Sequence, residues 1–201
     1  MIGNRNLRRA TRGATAVEFA MVLPLLLLLI FGIIDAGRYM WALNRAEKAT
    51  QAGVRFAAVT NMVPSSLAAY RFTTGTEVGS VSPGVPVPTS SFDSVTCIDT
   101  GCTNSGAGPT PGFNATAFNA IGDRMRLLDP AIANGNFSIT YRNVGLGYAG
   151  DPYGPDVAPD ITIALVNMQF VPITSLLFAT IGMPATSSSI TMEDGIGNQS
   201  N

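Results

Sequence analysis

The chain has 201 residues, with 12 basic and 13 acidic side chains and no histidine. The missing histidine excludes Ser-His-Asp and Cys-His catalytic sites and any histidine-ligated metal. Low charge with 21 glycines and 13 prolines fits an exported, loop-rich domain better than a cytosolic enzyme. The net charge of −1 conceals a leader of +4 in the first twelve residues and a remainder of −5 that has no basic cluster. A nucleic-acid surface is therefore not expected.

Residues 1–13 form a basic leader carrying Arg5, Arg8, Arg9 and Arg12. Residues 14–34 follow with Glu18 as their only charge. As a helix these 21 positions span about 31 Å at ~1.5 Å per residue, enough for a hydrocarbon core of ~30 Å. Counted from Phe19 the uncharged run is 16 residues, or roughly 24 Å, which is short. Either Glu18 marks the cytoplasmic boundary, or it is drawn into the membrane and has a partner there. Arginines beside a transmembrane end stay on the cytoplasmic side, so the chain from Asp35 onward is expected outside. A cleaved secretory signal is the competing reading, but Ile34-Asp35-Ala36-Gly37 matches the small-x-small cleavage pattern poorly. Pro24 interrupts the run, which membrane helices tolerate through local readjustment.

The helix is expected to continue past the membrane. Tyr39, Leu43, Ala46, Thr50, Val54 and Ala57 recur at spacings of three and four, while Arg38, Arg45, Lys48, Gln51 and Arg55 fall on other sides. Thr50 is the polar member of that stripe, and Gly37 and Gly53 each cost ~1 kcal/mol against alanine. A helix from Ala14 to Val59 would be a rod of about 69 Å, half in lipid and half in water. Residues 14–35 are then a transmembrane helix, 36–63 its extracytoplasmic extension, and 64–201 a head.

Pro64 ends the long element. Residues 73–112 are rich in Thr, Gly, Ser and Pro and read as loop, with Val78 to Val87 as an irregular edge strand. Cys97 and Cys102 stand five apart there; a disulfide across a small surface loop is expected in an oxidising compartment, two unpaired thiols being the alternative. A second helix is predicted over Ala115–Leu128, capped by Asn114 and stopped at Asp129-Pro130, with Phe118, Ile121, Met125 and Leu128 as its apolar face. Phe137 to Arg142 alternates as a strand, Ile161 to Val171 reads as the best strand, and Ser188 to Met192 closes a small sheet. The expected fold is α+β: a long N-terminal helix, transmembrane in its first half, packed on a small antiparallel sheet with a second short helix. Asp151, Asp156 and Asp160 lack the dense spacing of a calcium loop and read as turn residues, so no metal and no cofactor are expected. Asp35 and Arg38 form a generic i, i+3 pair.

Gly13-Ala14-Thr15-Ala16-Val17-Glu18-Phe19, between a basic leader and a Pro24-containing leucine run, resembles the processing site of type IV pilin-like precursors. With Asn44-Arg45-Ala46 and Ala52-Gly53-Val54-Arg55-Phe56-Ala57-Ala58 behind it, the segment resembles the TadE-like minor pseudopilins of tight-adherence (Tad/Flp) pili. The resemblance is specific over residues 8–60, loose over the late strands and absent over 73–112. It implies cleavage by a prepilin peptidase after Gly13, residence in a bacterial inner membrane, and work with other pilin-like subunits and an assembly platform in pilus biogenesis and adhesion. No catalytic residue is implied. Cutting there removes the +4 leader and frees the Ala14 amine, about 6 Å along the helix from Glu18. That carboxylate would then neutralise its own amine or that of the next subunit, since an unpaired charge in lipid is costly. The alternative is a membrane-tethered extracytoplasmic binding protein with an uncleaved anchor.

Overall fold

The computed structural model describes residues 5–176 and 179–197; the side chains of residues 5–15 and 176 lie outside that description. The fold is α+β. Helix α1 (Arg5–Ala57) runs for 53 residues and passes through Pro24 without a break. It takes in the leader backbone and stops two residues short of the expected Val59. After it come α2 (Ser65–Ala69), strands β1 (Ser94–Ile98) and β2 (Gly101–Asn104), and α3 (Ala115–Arg126). Strands β3 (Phe137–Arg142), β4 (Asp160–Leu165), β5 (Gln169–Phe170), β6 (Ile181–Gly182) and β7 (Thr186–Thr191) complete the chain. Two compact units result, one from α1 up to Ala42 with Gln169–Ile181, the other from the remainder.

The larger unit is built on an antiparallel sheet of order β2-β1-β3-β4-β7. Because side chains alternate along a strand, register decides what the inner face carries. Val95 lies opposite Tyr141 and Tyr141 opposite Ile161; Cys97 lies opposite Ile139 and Ile139 opposite Ile163. All six are fully buried. The other face is polar, with the Thr96 and Thr140 hydroxyls 3.0 Å apart. Helix α3 stacks on the inner face through Phe118 and Phe137, whose ring centroids are 4.5 Å apart. The second half of α1 joins them by burying Ala46, Ala49, Val54 and Ala57. Thr50, the polar member of the predicted stripe, meets the Ser188 hydroxyl at 3.0 Å and its own helix at the Glu47 carbonyl.

Several sequence expectations are corrected. Helix α3 begins as predicted, with the Asn114 side chain accepting from Ala117 N–H at 3.1 Å, but it ends at Arg126 and leaves Leu128 exposed. The strand expected from Ile161 to Val171 is cut after Leu165. Asn167 there adopts a left-handed φ of 57°, which asparagine tolerates better than most residues, and the Asn136 amide reaches the Val166 and Asn167 carbonyls. Val78 to Val87 is no strand, since Pro83 and Pro86 supply no amide donors. The loop expected around the cysteines is the β1–β2 hairpin, turned by Asp99 and Thr100. Composition hid it, because Thr, Ser and Gly dominate both a loop and a short, half-exposed hairpin.

Candidate functional site

The residues singled out at the N-terminus lie in series on one helix. Gly13 and Ala14 are within the helical backbone of α1, with the side chains of both and of the leader arginines outside the described residues. Glu18 follows one turn later and is exposed. Every residue from 16 to 34 is exposed as well, including Phe19 at 65%, Leu25 at 74% and Ile33 at 67%. A helix with no buried stripe over five turns gains nothing from water. Its length and composition suit a bilayer, as the one N-terminal helix of that kind among the described residues.

The exposed run ends at Asp35, whose surroundings differ from those of a surface ion pair. Asp35 is on α1 yet only 7% exposed. Its carboxylate accepts from Ile173 N–H at 2.7 Å, Thr174 N–H at 3.0 Å and the Thr174 hydroxyl at 2.9 Å. The Arg38 guanidinium donates a further bond at 2.9 Å. The two backbone amides open a short 3-10 turn (Ile173–Leu176), so Asp35 caps that turn from another element. Arg38 also lies over the Phe170 ring, 5.3 Å from its centroid, and Tyr39 meets the same ring edge-on at 5.5 Å. Four charge-assisted bonds make this a built junction, where the sequence alone suggested a surface i, i+3 pair. A signal for it existed: residues 161–192 hold no charged side chain, which is unusual for an exposed segment.

Gly32, Asp35, Ala36 and Tyr39 line a groove of about 300 Å³ together with Phe170, Pro172, Thr174 and Ile181. The small residues at 32 and 36 open it on the helix side. Its lining offers one carboxylate that is already saturated, so it is shaped for apolar contact and not for catalysis.

The remaining candidates separate. Cys97 and Cys102 form a disulfide across opposed positions of the β1–β2 hairpin. Asp156 is fully buried and accepts from Arg71 at 2.9 Å and Phe72 N–H at 2.8 Å. Asp151 caps its own turn at Tyr153 N–H, and Asp160 stands 4.0 Å from Arg142. The three aspartates thus serve separate structural contacts, and no carboxylate or thiol cluster with metal-ligand geometry occurs among the described residues.

These features define a class: an α+β protein led by a long helix that is apolar and exposed over residues 16–34. The family model described as TadE-like protein matches residues 13–55, from the glycine after the leader arginines almost to the end of α1. No curated protein and no solved structure matches the chain. The match suggests a role in Tad pilus systems, and the family is structural, not enzymatic.

Proposed function

We propose that the chain is the precursor of a minor pseudopilin, cut by a prepilin peptidase between Gly13 and Ala14, that acts in biogenesis of a Tad-type pilus used for adhesion. The observation that carries the reading is the family match beginning at Gly13 and continuing through the whole exposed helix. The four leader arginines favour an N-terminus held in the cytoplasm and a head in the periplasm of a bacterial inner membrane. Because α1 includes Gly13, the peptidase must unwind helix to reach the bond. Glycine costs a helix about 1 kcal/mol relative to alanine, so the helix is locally weak there. After the cut, Glu18 is one turn from a new ammonium. Its part is to pair with that amine, on its own chain or a neighbour's, while the exposed apolar helix packs against other pilin-like subunits.

The mature N-terminus tests this. Intact mass and N-terminal sequencing should find Ala14 first in cells with the peptidase, and Met1 retained when Gly13 is replaced by leucine. A chain still starting at Met1 in wild-type cells would sink the reading in favour of a plain tethered protein. For Glu18→Ala, processing should survive and piliation should fall. Unchanged piliation would remove Glu18 from assembly.

A further inference from the structure

We propose that the β5–β6 ribbon, with the turn at Ile173–Leu176, is a second membrane contact: it lies in the outer interfacial layer of the bilayer beside the end of the anchor, tied there by Asp35. The inference rests on reading α1 as a membrane anchor and goes beyond it by assigning lipid to a segment nearly 140 residues away in sequence.

The placement along the helix comes first. If Glu18 marks the inner boundary, the uncharged run from Phe19 to Ile34 covers roughly 24 Å, and a core of ~30 Å needs about four residues more, to near Arg38. The groove shared by α1 and the ribbon spans Gly32 to Tyr39. The ribbon is therefore level with the last stretch of hydrocarbon and the interface above it. Arg38, Tyr39 and Trp41 follow on α1, with Trp41 61% exposed, and these residue types favour the membrane–water interface.

The surface is the second observation. Val171, Ile173 and Ile181 are 55%, 50% and 46% exposed, and Ile33 and Ile34, just before Asp35 on the helix, are 67% and 44% exposed. No charged residue occurs from Ile161 through Met192. Asp35 accepts from the ribbon at Ile173 and Thr174 and pairs with Arg38, which itself lies over the Phe170 ring.

The third observation separates lipid from a protein partner. In hydrocarbon an unsatisfied backbone amide costs several kcal/mol, and irregular backbone is tolerated only where its polar groups are met internally. The Ile173 and Thr174 amides and the Thr174 hydroxyl all go to one carboxylate. That carboxylate, at the end of an apolar run, is in turn shielded by the ribbon. Each satisfies the other's polar groups, as a lipid-facing position demands and a contact with wet protein does not.

Brominated-lipid quenching tests the assignment. The full-length chain, carrying Trp41→Phe, is reconstituted in phosphatidylcholine–phosphatidylglycerol liposomes with one tryptophan introduced at a time. The positions are Ile173→Trp and Ile181→Trp in the ribbon, Leu28→Trp in the anchor, and Tyr153→Trp on an 88% exposed residue of the head. Circular dichroism confirms that each variant is folded. At 173 and 181, the expected result is loss of emission with lipids brominated at a shallow acyl carbon, a blue-shifted maximum and protection from aqueous iodide. Emission at 153 should respond to iodide alone. If position 28 is quenched by brominated lipid but 173 and 181 respond only to iodide, the inference is overturned and the anchor stands. If 173 and 181 are shielded from iodide without lipid quenching, and more so at higher protein-to-lipid ratio, a second copy covers the ribbon and the inference is also overturned. If position 28 escapes lipid quenching, the anchor reading falls and takes this one with it.

Discussion

Gly53 sits on the buried side of α1, where a β-carbon would come within 2.6 Å of Met125 Cγ, 2.8 Å of its sulfur and 3.2 Å of Ile163 Cδ1. Helix propensity alone makes glycine unfavourable there by ~1 kcal/mol. Packing outweighs propensity at this position, because forcing extra volume into a closed core costs typically 1–3 kcal/mol. Gly53→Ala should therefore lower stability by about 1 kcal/mol net in denaturant unfolding. In a Met125→Ala background the same substitution should become neutral or stabilising, because the two closest contacts are gone and only Ile163 Cδ1 at 3.2 Å must give. Equal cost in both backgrounds would show that Met125 is not what the glycine accommodates. Asp35, near the middle of the same helix, is likewise decided by its distant neighbours. Its own chemistry is visible in the chain, but its partners, Ile173 and Thr174, lie too far along the sequence for any local pattern to reveal.

Among the elements, those with a strong local period were legible. The stripe on α1, the Asn114 cap of α3 and the alternation of β3 each follow from spacing, and each is found with nearly its expected bounds. Elements defined by register were not. The β1–β2 hairpin has ordinary loop composition, and only the pairing of Val95 and Cys97 with β3 makes it part of the sheet. The division of the expected Ile161–Val171 strand depends on one left-handed asparagine and a side chain from residue 136. The hairpin supports a prediction of its own. The Cys97–Cys102 bridge closes a loop of six residues, for which the chain-entropy account gives about 2 kcal/mol. Replacing both cysteines with alanine should lower stability by about that amount while sparing the sheet, since β1 keeps its ladder to β3. Reductant should reproduce the loss in the wild-type chain and do nothing to the double variant. A wild-type midpoint indifferent to reductant would contradict it.

At the scale of the molecule, the candidate site and the core are built from different stretches of chain. Among the described residues, the hydrophobic core runs from Ala46 to Met192 and draws on none before Ala46 and none from Gln169 to Ile181. The site at Asp35 lies wholly in the other unit. A fragment covering residues 43–201 should therefore fold cooperatively in water. Asn44 would become the N-cap of the shortened helix, and Glu47, three residues on, completes a capping-box pattern. What the fragment loses is the Asp35 carboxylate, so the Ile173 and Thr174 amides and the groove side chains of Phe170 and Ile181 are left without their cover. Thermolysin, which cuts before apolar residues, should attack this fragment first between Phe170 and Ile181 and spare the sheet. In the full-length chain held in liposomes the same segment should resist, because α1 and, on the topology proposed above, lipid both cover it. An unfolded fragment would mean that the first half of α1 is needed for the core as well as for anchoring. A fragment that folds but resists cleavage there would mean that the segment is held by something other than Asp35.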